Sequence, residues 1–447
     1  MILLWRILYR IYRLFSWCWY WLPRRFPPTG LSILGAFALA AIIGMDTDNS
    51  VTYQGFALLL FLLFMAVAFS WFFKIRYSAA RVLPRFGTVG HLLNYRIAVT
   101  NLSSKVQDGL TLLENLTDTR PSFHEWKAFQ IAASRVSRSF RFNEPGRANP
   151  FKVATVKSAA VPSLPPRQSV DVRIELMPLR RGVLRFTGVT LARPDPFGLF
   201  RAFSKFQTAQ TTLILPKRYP LPPIALPGAM RYQEGGVAMA SNVGQSDEFV
   251  ALRDYRRGDP LRHIHWRSWA RTGKPIVKEF EDEFFVRHAL VLDTFTNQPR
   301  SEVFEEAISV ASSFACTIQT QESLLDLLFV GSRAFCFTAG RGLADADQML
   351  EILASVQSCT DQPFSSLEPL VLDHLAVVSG CICVLLTWDE SRQNFVKKIR
   401  TFGIPLLVLV VVPRGQGKSL EPGPMCDDPD RFKVLEVGQV EQGLAKL

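Results

Sequence analysis

His263 and His265 stand two residues apart, with Asp254 and Asp259 a short way upstream. On a strand, residues two apart face the same side, so two imidazoles could share a divalent cation. A histidine beside an aspartate could also move protons as acid and base. That set of side chains supports a metal-dependent hydrolase. The surrounding stretch, 244–284, favours another reading. It holds eight Lys and Arg and eight Asp and Glu, so its net charge is zero, and Phe249, Tyr255, Trp266, Trp269 and Phe280 sit among them. A nucleic-acid surface would not cancel its own charge. Arginine forks among carboxylates and aromatic faces suit a folded, internally paired and buried network whose members fix one another.

The wording of this stretch resembles a bacterial family. Arg253-Asp254-Tyr255, Gly258-Asp259, Arg262, Ile264-His265-Trp266, Ala270-Arg271-Thr272-Gly273-Lys274 and Glu279 match the signature of the domain-of-unknown-function 58 family. Trp269 departs from it, standing where the family usually has a small residue. The resemblance implies association with a MoxR-type AAA+ ATPase. It also marks Arg253, Asp254, Tyr255, Gly258, Asp259, Arg262, His265, Trp266, Arg271, Gly273, Lys274 and Glu279 as a structural network.

Other catalytic signatures are missing. The chain has no G-x-x-x-x-G-K-[ST], H-E-x-x-H or G-x-S-x-G. Gly417-Lys418-Ser419 ends like a phosphate loop, but Val412 stands where the first glycine is required.

These residues need a frame to hold them. Residues 1–25 predict an amphipathic interfacial helix: Arg6, Arg10 and Arg13 share one face, with Trp5, Trp17, Trp19 and Trp21 around them. Phe26 to Met45 is twenty residues without a charge, and Asn49 to Phe73 another twenty-five. A span needs about 20, so 26–76 predicts a two-span hairpin. Residues 1–76 carry +5 of the chain's formal +12, with Arg24 and Arg25 before the first segment and Lys74 and Arg76 after the second. Positive-inside logic puts both flanks, and everything after residue 76, in the cytoplasm. The basic balance thus speaks to topology, and nucleic acid is not an expected partner. Seven cysteines without a C-x-x-C read as reduced packing residues.

Residues 77–220 read as a β-sandwich. Val170, Val172, Ile174 and Leu176 alternate with charged residues, and 133–167 reads as a loop excursion. Asp195-Pro196-Phe197-Gly198-Leu199-Phe200 reads as a turn with an aromatic anchor. Residues 221–285 are a linker plus the signature segment. From 286 to 447, apolar strands alternate with helices, which predicts a largely parallel, Rossmann-like sheet covered on both faces.

That order resembles a von Willebrand factor A domain, whose first strand often leads into a magnesium-binding D-x-S-x-S. Here the run is Asp293-Thr294-Phe295-Thr296-Asn297, so Phe295 and Asn297 replace the serines. Asp293, Thr294 and Asp389 remain as oxygen donors at the carboxyl end of the sheet, a degenerate site for a divalent cation. Otherwise Asp293 caps the loop or the helix after it, and no cofactor is expected. The whole predicts a multidomain protein: two N-terminal transmembrane helices, a β-sandwich, then an α/β von Willebrand factor A-like domain. Its expected place is the bacterial inner membrane. Its expected role is a non-enzymatic scaffold working with a MoxR-type AAA+ ATPase in the assembly, maturation or activation of other envelope proteins.

Overall fold

The computed structural model describes residues 2–43, 50–118, 120–136, 151–222, 249–257, 259, 261, 264–280, 286–296, 298, 301–317, 323–340, 346–417 and 420–447. The chain divides into two compact units, Met1–Lys217 and Arg218–Leu447.

The first unit opens with three helices, α1 (Ile2–Arg25), α2 (Pro28–Ile43) and α3 (Ser50–Trp71). Among the described residues one helical stretch, Tyr53–Trp71, is long and apolar enough to cross a membrane by length and composition. Among the described residues the first apolar segment forms a helix shorter than the expected span. Pro27 and Pro28 delay its start, and α2 has 16 residues, about 24 Å at 1.5 Å per residue. α2 and α3 meet through Phe37 and Phe56, whose rings stack 5.0 Å apart.

Among the described residues nine strands and one helix follow: β1 (Tyr77–Val82), β2 (Phe86–Thr88), β3 (Leu93–Asn101), β4 (Thr111–Leu116), α4 (Phe123–Val136), β5 (Ala154–Val156), β6 (Ala159–Ala160), β7 (Ser169–Pro178), β8 (Gly182–Pro194) and β9 (Arg201–Leu215). They form two sheets, ordered β1-β3-β7-β5 and β2-β9-β8-β4-β6. One apolar cluster serves both, with Ile97, Val172, Ile174 and Leu176 from the first and Leu112, Phe186, Leu191 and Ile214 from the second. The alternation along β7 is what sends Val172, Ile174 and Leu176 inward. The stretch expected to be a loop excursion is partly built into these sheets. β5 and β6 lie within it, and Val161 and Leu164 are buried because that apolar pair completes the core.

Arg81 and Glu114 cross this core as an ion pair, Nε to Oε1 and Nη2 to Oε2 both at 3.1 Å. Both side chains are fully buried. The guanidinium lies over the Phe186 ring, 4.6 Å from its centroid. Burial pushes the Glu114 carboxyl up, and Arg81 pulls it part of the way back.

The Asp195–Phe200 turn ties the sheets to the apolar helices. Asp195 accepts backbone N–H bonds from Phe197, Leu199 and Phe200 at 3.0, 2.7 and 2.7 Å. Leu199 and Phe200 then pack with Phe26 and with Ala66 of α3. Gly30 is pressed so closely on this turn that a Cβ there would lie 1.9 Å from the Leu199 carbonyl oxygen. Gly30→Ala is therefore expected to lower stability by about 1–3 kcal/mol through overpacking against backbone. Thermal unfolding of the detergent-purified chain measures it.

The second unit begins with β10 (Phe249–Asp254), α5 (Trp266–Thr272) and β11 (Ile276–Phe280). Next come β12 (Val286–Leu292), α6 (Glu302–Thr317), β13 (Ser323–Val330), β14 (Ala334–Ala339), α7 (Ala346–Ser355) and α8 (Leu367–Leu375). It closes with β15 (Gly380–Leu385), α9 (Glu390–Thr401), β16 (Leu406–Val412), β17 (Phe432–Glu436) and α10 (Val440–Leu444). β10 and β11 form an antiparallel pair. The large sheet runs β14-β13-β12-β15-β16-β17. All its pairings are parallel except β13 with the edge strand β14.

Both faces of that sheet are covered, which is why its strands read as unbroken apolar runs. Leu290, Leu292, Ile382 and Val384 pack towards α6 and α7. Ala289, Val291, Cys381 and Cys383 pack towards α8 and α9. Cys381 and Cys383 are buried free thiols.

Candidate functional site

The signature residues form a small surface motif. Arg253, at the end of β10, forks onto Asp259, Nη1 to Oδ2 at 2.7 Å and Nη2 to Oδ1 at 2.8 Å. Asp259 also accepts the Arg256 backbone N–H at 2.7 Å. The loop is stitched to β11 by Tyr255 N–H to the Pro275 carbonyl at 2.9 Å and His265 N–H to the Ile276 carbonyl at 2.8 Å. Below them Ile264 and Val277 are buried and pair as an isolated bridge. His265 Nδ1 lies 2.6 Å from the Ser268 hydroxyl. Gly273 ends α5 at φ +69°, a left-handed cap that a side chain would strain.

This arrangement corrects one expectation. The network is not buried. Trp266 is 63% exposed and stacks on Trp269 at 5.3 Å, while Asp254, Arg271 and Lys274 are exposed. A two-stranded hairpin with a seven-residue helix has too little apolar surface to enclose so many polar groups. Of the candidate hydrolase residues Asp254, Asp259 and His265 are described, and each has its own surroundings. Asp254 faces solvent, Asp259 is held by Arg253 and His265 by Ser268. Gly258, Arg262 and His263 lie outside the described residues, and of Glu279 only the strand position, opposite Ala251, is described. Among the described residues no group of three His, Cys, Asp or Glu is placed to hold a metal.

The Arg253 fork holds the Asp259 carboxyl down to about 2, helped by the Arg256 amide. A depressed carboxylate contributes stability above its unfolded value, about 3.9, and loses it as pH falls through the folded one. Asp259→Asn is expected to loosen the hairpin at neutral pH. Its difference from wild type should vanish as pH falls from about 4 to about 2. Near-ultraviolet circular dichroism of the stacked Trp266–Trp269 pair reads this.

The second candidate lies in the large sheet. Asp293 follows β12, and β12 is flanked by β13 on one side and β15 on the other. Here successive connections leave in opposite directions, the crevice where open α/β sheets bind ligands. Asp293 is fully buried. Its Oδ1 accepts the Phe295 N–H at 3.0 Å, and its Oδ2 accepts the Leu386 N–H at 3.1 Å. The same Oδ2 takes Arg392 Nε at 2.7 Å. Arg392 reaches on to Asp389 through Nη1 and to the Phe295 carbonyl through Nη2, 3.3 Å away. Its guanidinium stands 4.5 Å over the Phe364 ring. Asp389 caps α9, accepting the Arg392 backbone N–H at 3.0 Å. Thr294 turns away and donates its hydroxyl to the Val330 carbonyl.

Asp293 and Asp389 thus meet, but through an arginine. The Arg392 guanidinium lies between the two carboxylates, and the Thr294 hydroxyl is engaged by the Val330 carbonyl. Burial pushes the Asp293 carboxyl up, and Arg392 and the two amides pull it only part of the way back. Burial opposes the Arg392 charge, and the two carboxylates outweigh it, so the guanidinium is held protonated above its ordinary value. Sequence reasoning missed Arg392. Its signal was a cation in the first turn of a helix, where the dipole disfavours one.

Residues 251–372 match the family described as Protein of unknown function DUF58. The matched range holds the signature hairpin and Asp293, and stops before Asp389 and Arg392. The chain is also 27% identical over 203 residues to Uncharacterized protein YeaD of Bacillus subtilis (strain 168), covering 44% of this chain and 49% of that protein. It spans about half the length of the curated relative it matches. Similar solved structures include the CARDB domain of PF1109 from Pyrococcus furiosus, at 13% identity, 31% of this chain, 93% of that one and a TM-score of 0.17. A cohesin module from a Clostridium perfringens ATCC13124 family 33 glycoside hydrolase gives 12%, 32%, 98% and 0.17. Likenesses this loose define no fold for the chain.

Proposed function

We propose that this protein is a membrane-anchored, non-enzymatic scaffold. The observation that carries the reading is Arg392, a built-in cation bridging Asp293 and Asp389 where a metal-dependent domain would hold its ion. A crevice neutralised from within suits binding by shape and hydrogen bonding better than metal chemistry. The order β14-β13-β12-β15-β16-β17 with one antiparallel edge supports reading the second unit as von Willebrand factor A-like, a common protein-interaction module. Two sheets sharing one core support reading 77–220 as a β-sandwich. α3 is the proposed anchor, and α2, packed beside it, the second pass. With Arg24, Arg25, Lys74 and Arg76 flanking them, both passes would leave residues after 76 in the cytoplasm of a bacterial inner membrane.

The partner in this proposal is a MoxR-type AAA+ ATPase, on the strength of the family signature, and the role is assembly, maturation or activation of other envelope proteins. Co-purification from co-expressing cells tests it. The two proteins are expected to elute together in at least one nucleotide state; separation in the apo, ADP and ATP-analogue states alike would remove the partnership. Stoichiometric metal in the detergent-purified chain, lost in His265→Ala, would favour the hydrolase reading.

A further inference from the structure

α1 does more than lie beside the apolar helices. Its Tyr9 hydroxyl donates to the Pro121 carbonyl at 2.9 Å, and Tyr12 stacks on Trp126 of α4 at 5.6 Å. These contacts draw the connection between β4 and α4 against the helix. They bring Arg120 opposite Arg10 and Arg13, which lie one turn apart on α1. Arg120 is itself held by Asp118, whose carboxylate takes its Nε at 2.8 Å and also its Nη2, and accepts its backbone N–H at 3.1 Å. The result is a shallow, widely open cleft of about 370 Å³ lined by Arg10, Arg13, Arg120, Leu14 and Trp17. Asp118 balances Arg120, and Arg10 and Arg13 add two further guanidiniums, so among the described residues the cleft has an excess of positive charge and fork donors suited to phosphate oxygens.

The rest of the lining points to an amphiphile. Leu14 is 64% exposed and Trp17 45%. Ile7 and Ile11 extend Leu14 into an exposed apolar stripe along α1. The C-terminal end of α1 is continuous with the apolar helices, because Trp21 and Leu22 pack in the same cluster as Leu62, Leu63 and Val67 of α3. We propose that this cleft binds the phosphate of an anionic phospholipid, with Arg10, Arg13 and Arg120 on its oxygens and the Leu14 and Trp17 side against its glycerol and upper chain. The proposal rests on reading the chain as membrane-anchored. It adds a recognised lipid class to an anchor that otherwise needs only thickness.

Photolabelling tests it. The full chain is reconstituted in phosphatidylcholine vesicles containing a diazirine-bearing phosphatidylglycerol or, separately, a phosphatidylcholine with the same diazirine. Adducts are mapped by mass spectrometry, with labelling of α3 as the measure of insertion. Phosphatidylglycerol should label the cleft in preference to phosphatidylcholine. Arg10→Gln/Arg13→Gln should cut that labelling by about tenfold without changing labelling of α3, while Arg6→Gln, outside the cleft, should leave it intact. Equal labelling by the two lipids, no loss in the double variant, or displacement by inorganic phosphate would overturn the lipid site while leaving the anchor standing. Failure of the chain to float with the vesicles would overturn the anchor and the site together.

Discussion

Arg392→Ala is expected to lower the thermal midpoint of the second unit by roughly 10 °C. Truncating one partner of a buried pair costs about 3–5 kcal/mol, because the carboxylate left behind is uncompensated, and a domain of this size loses about 2–4 °C per kcal/mol. Asp293 is fully buried and Arg392 nearly so, with 8% of its side chain exposed. The damage thus comes from Asp293, whose two amide donors remain but whose charge no longer has a counter-ion. Asp293→Asn/Arg392→Met should recover most of the loss, since it removes both charges and keeps volume. Calorimetry of the detergent-purified chain distinguishes the two. A double variant as unstable as the single one would mean that Arg392 acts through packing on Phe364 rather than through charge.

Arg81→Ala should cost a similar amount, about 3–5 kcal/mol, in the first unit. Both side chains of its ion pair are fully buried. Here pH gives an independent check. Glu114 is already raised by burial, and losing Arg81 raises it further. A group whose folded value lies above its unfolded one favours the fold at low pH and loses that contribution as pH rises through the folded value. The deficit of Arg81→Ala should therefore shrink as pH falls towards the ordinary glutamate value, about 4.3, and grow on the alkaline side. A deficit independent of pH would contradict the assignment of the cost to Glu114.

Much of the second unit can be read from its residues. The apolar runs at 289–292, 381–386 and 404–412 are long, flanked by helical periodicity, and become β12, β15 and β16. Asp293 and Asp389 are visible as carboxylates at strand ends. Arg392 is not, because its role depends on α9 starting at Glu390 and on β15 lying beside β12. In the signature stretch the balance of charge foretells the Arg253–Asp259 fork. It misleads about burial, since pairing does not require enclosure and the hairpin has little apolar surface. The 133–167 stretch hides two short strands because its prolines and serines mask Val161 and Leu164, whose burial depends on distant parts of the sheet.

Arg392 also fixes what kind of control the crevice can have. An ion held between carboxylates comes and goes with its concentration, so a chelator can disarm such a domain and a rise in ion level can arm it. A guanidinium on the chain does neither. It is supplied with every copy, in one-to-one amount, from the moment the sheet closes. The charge balance around Asp293 is therefore set by the chain itself and does not follow the concentration of a divalent ion.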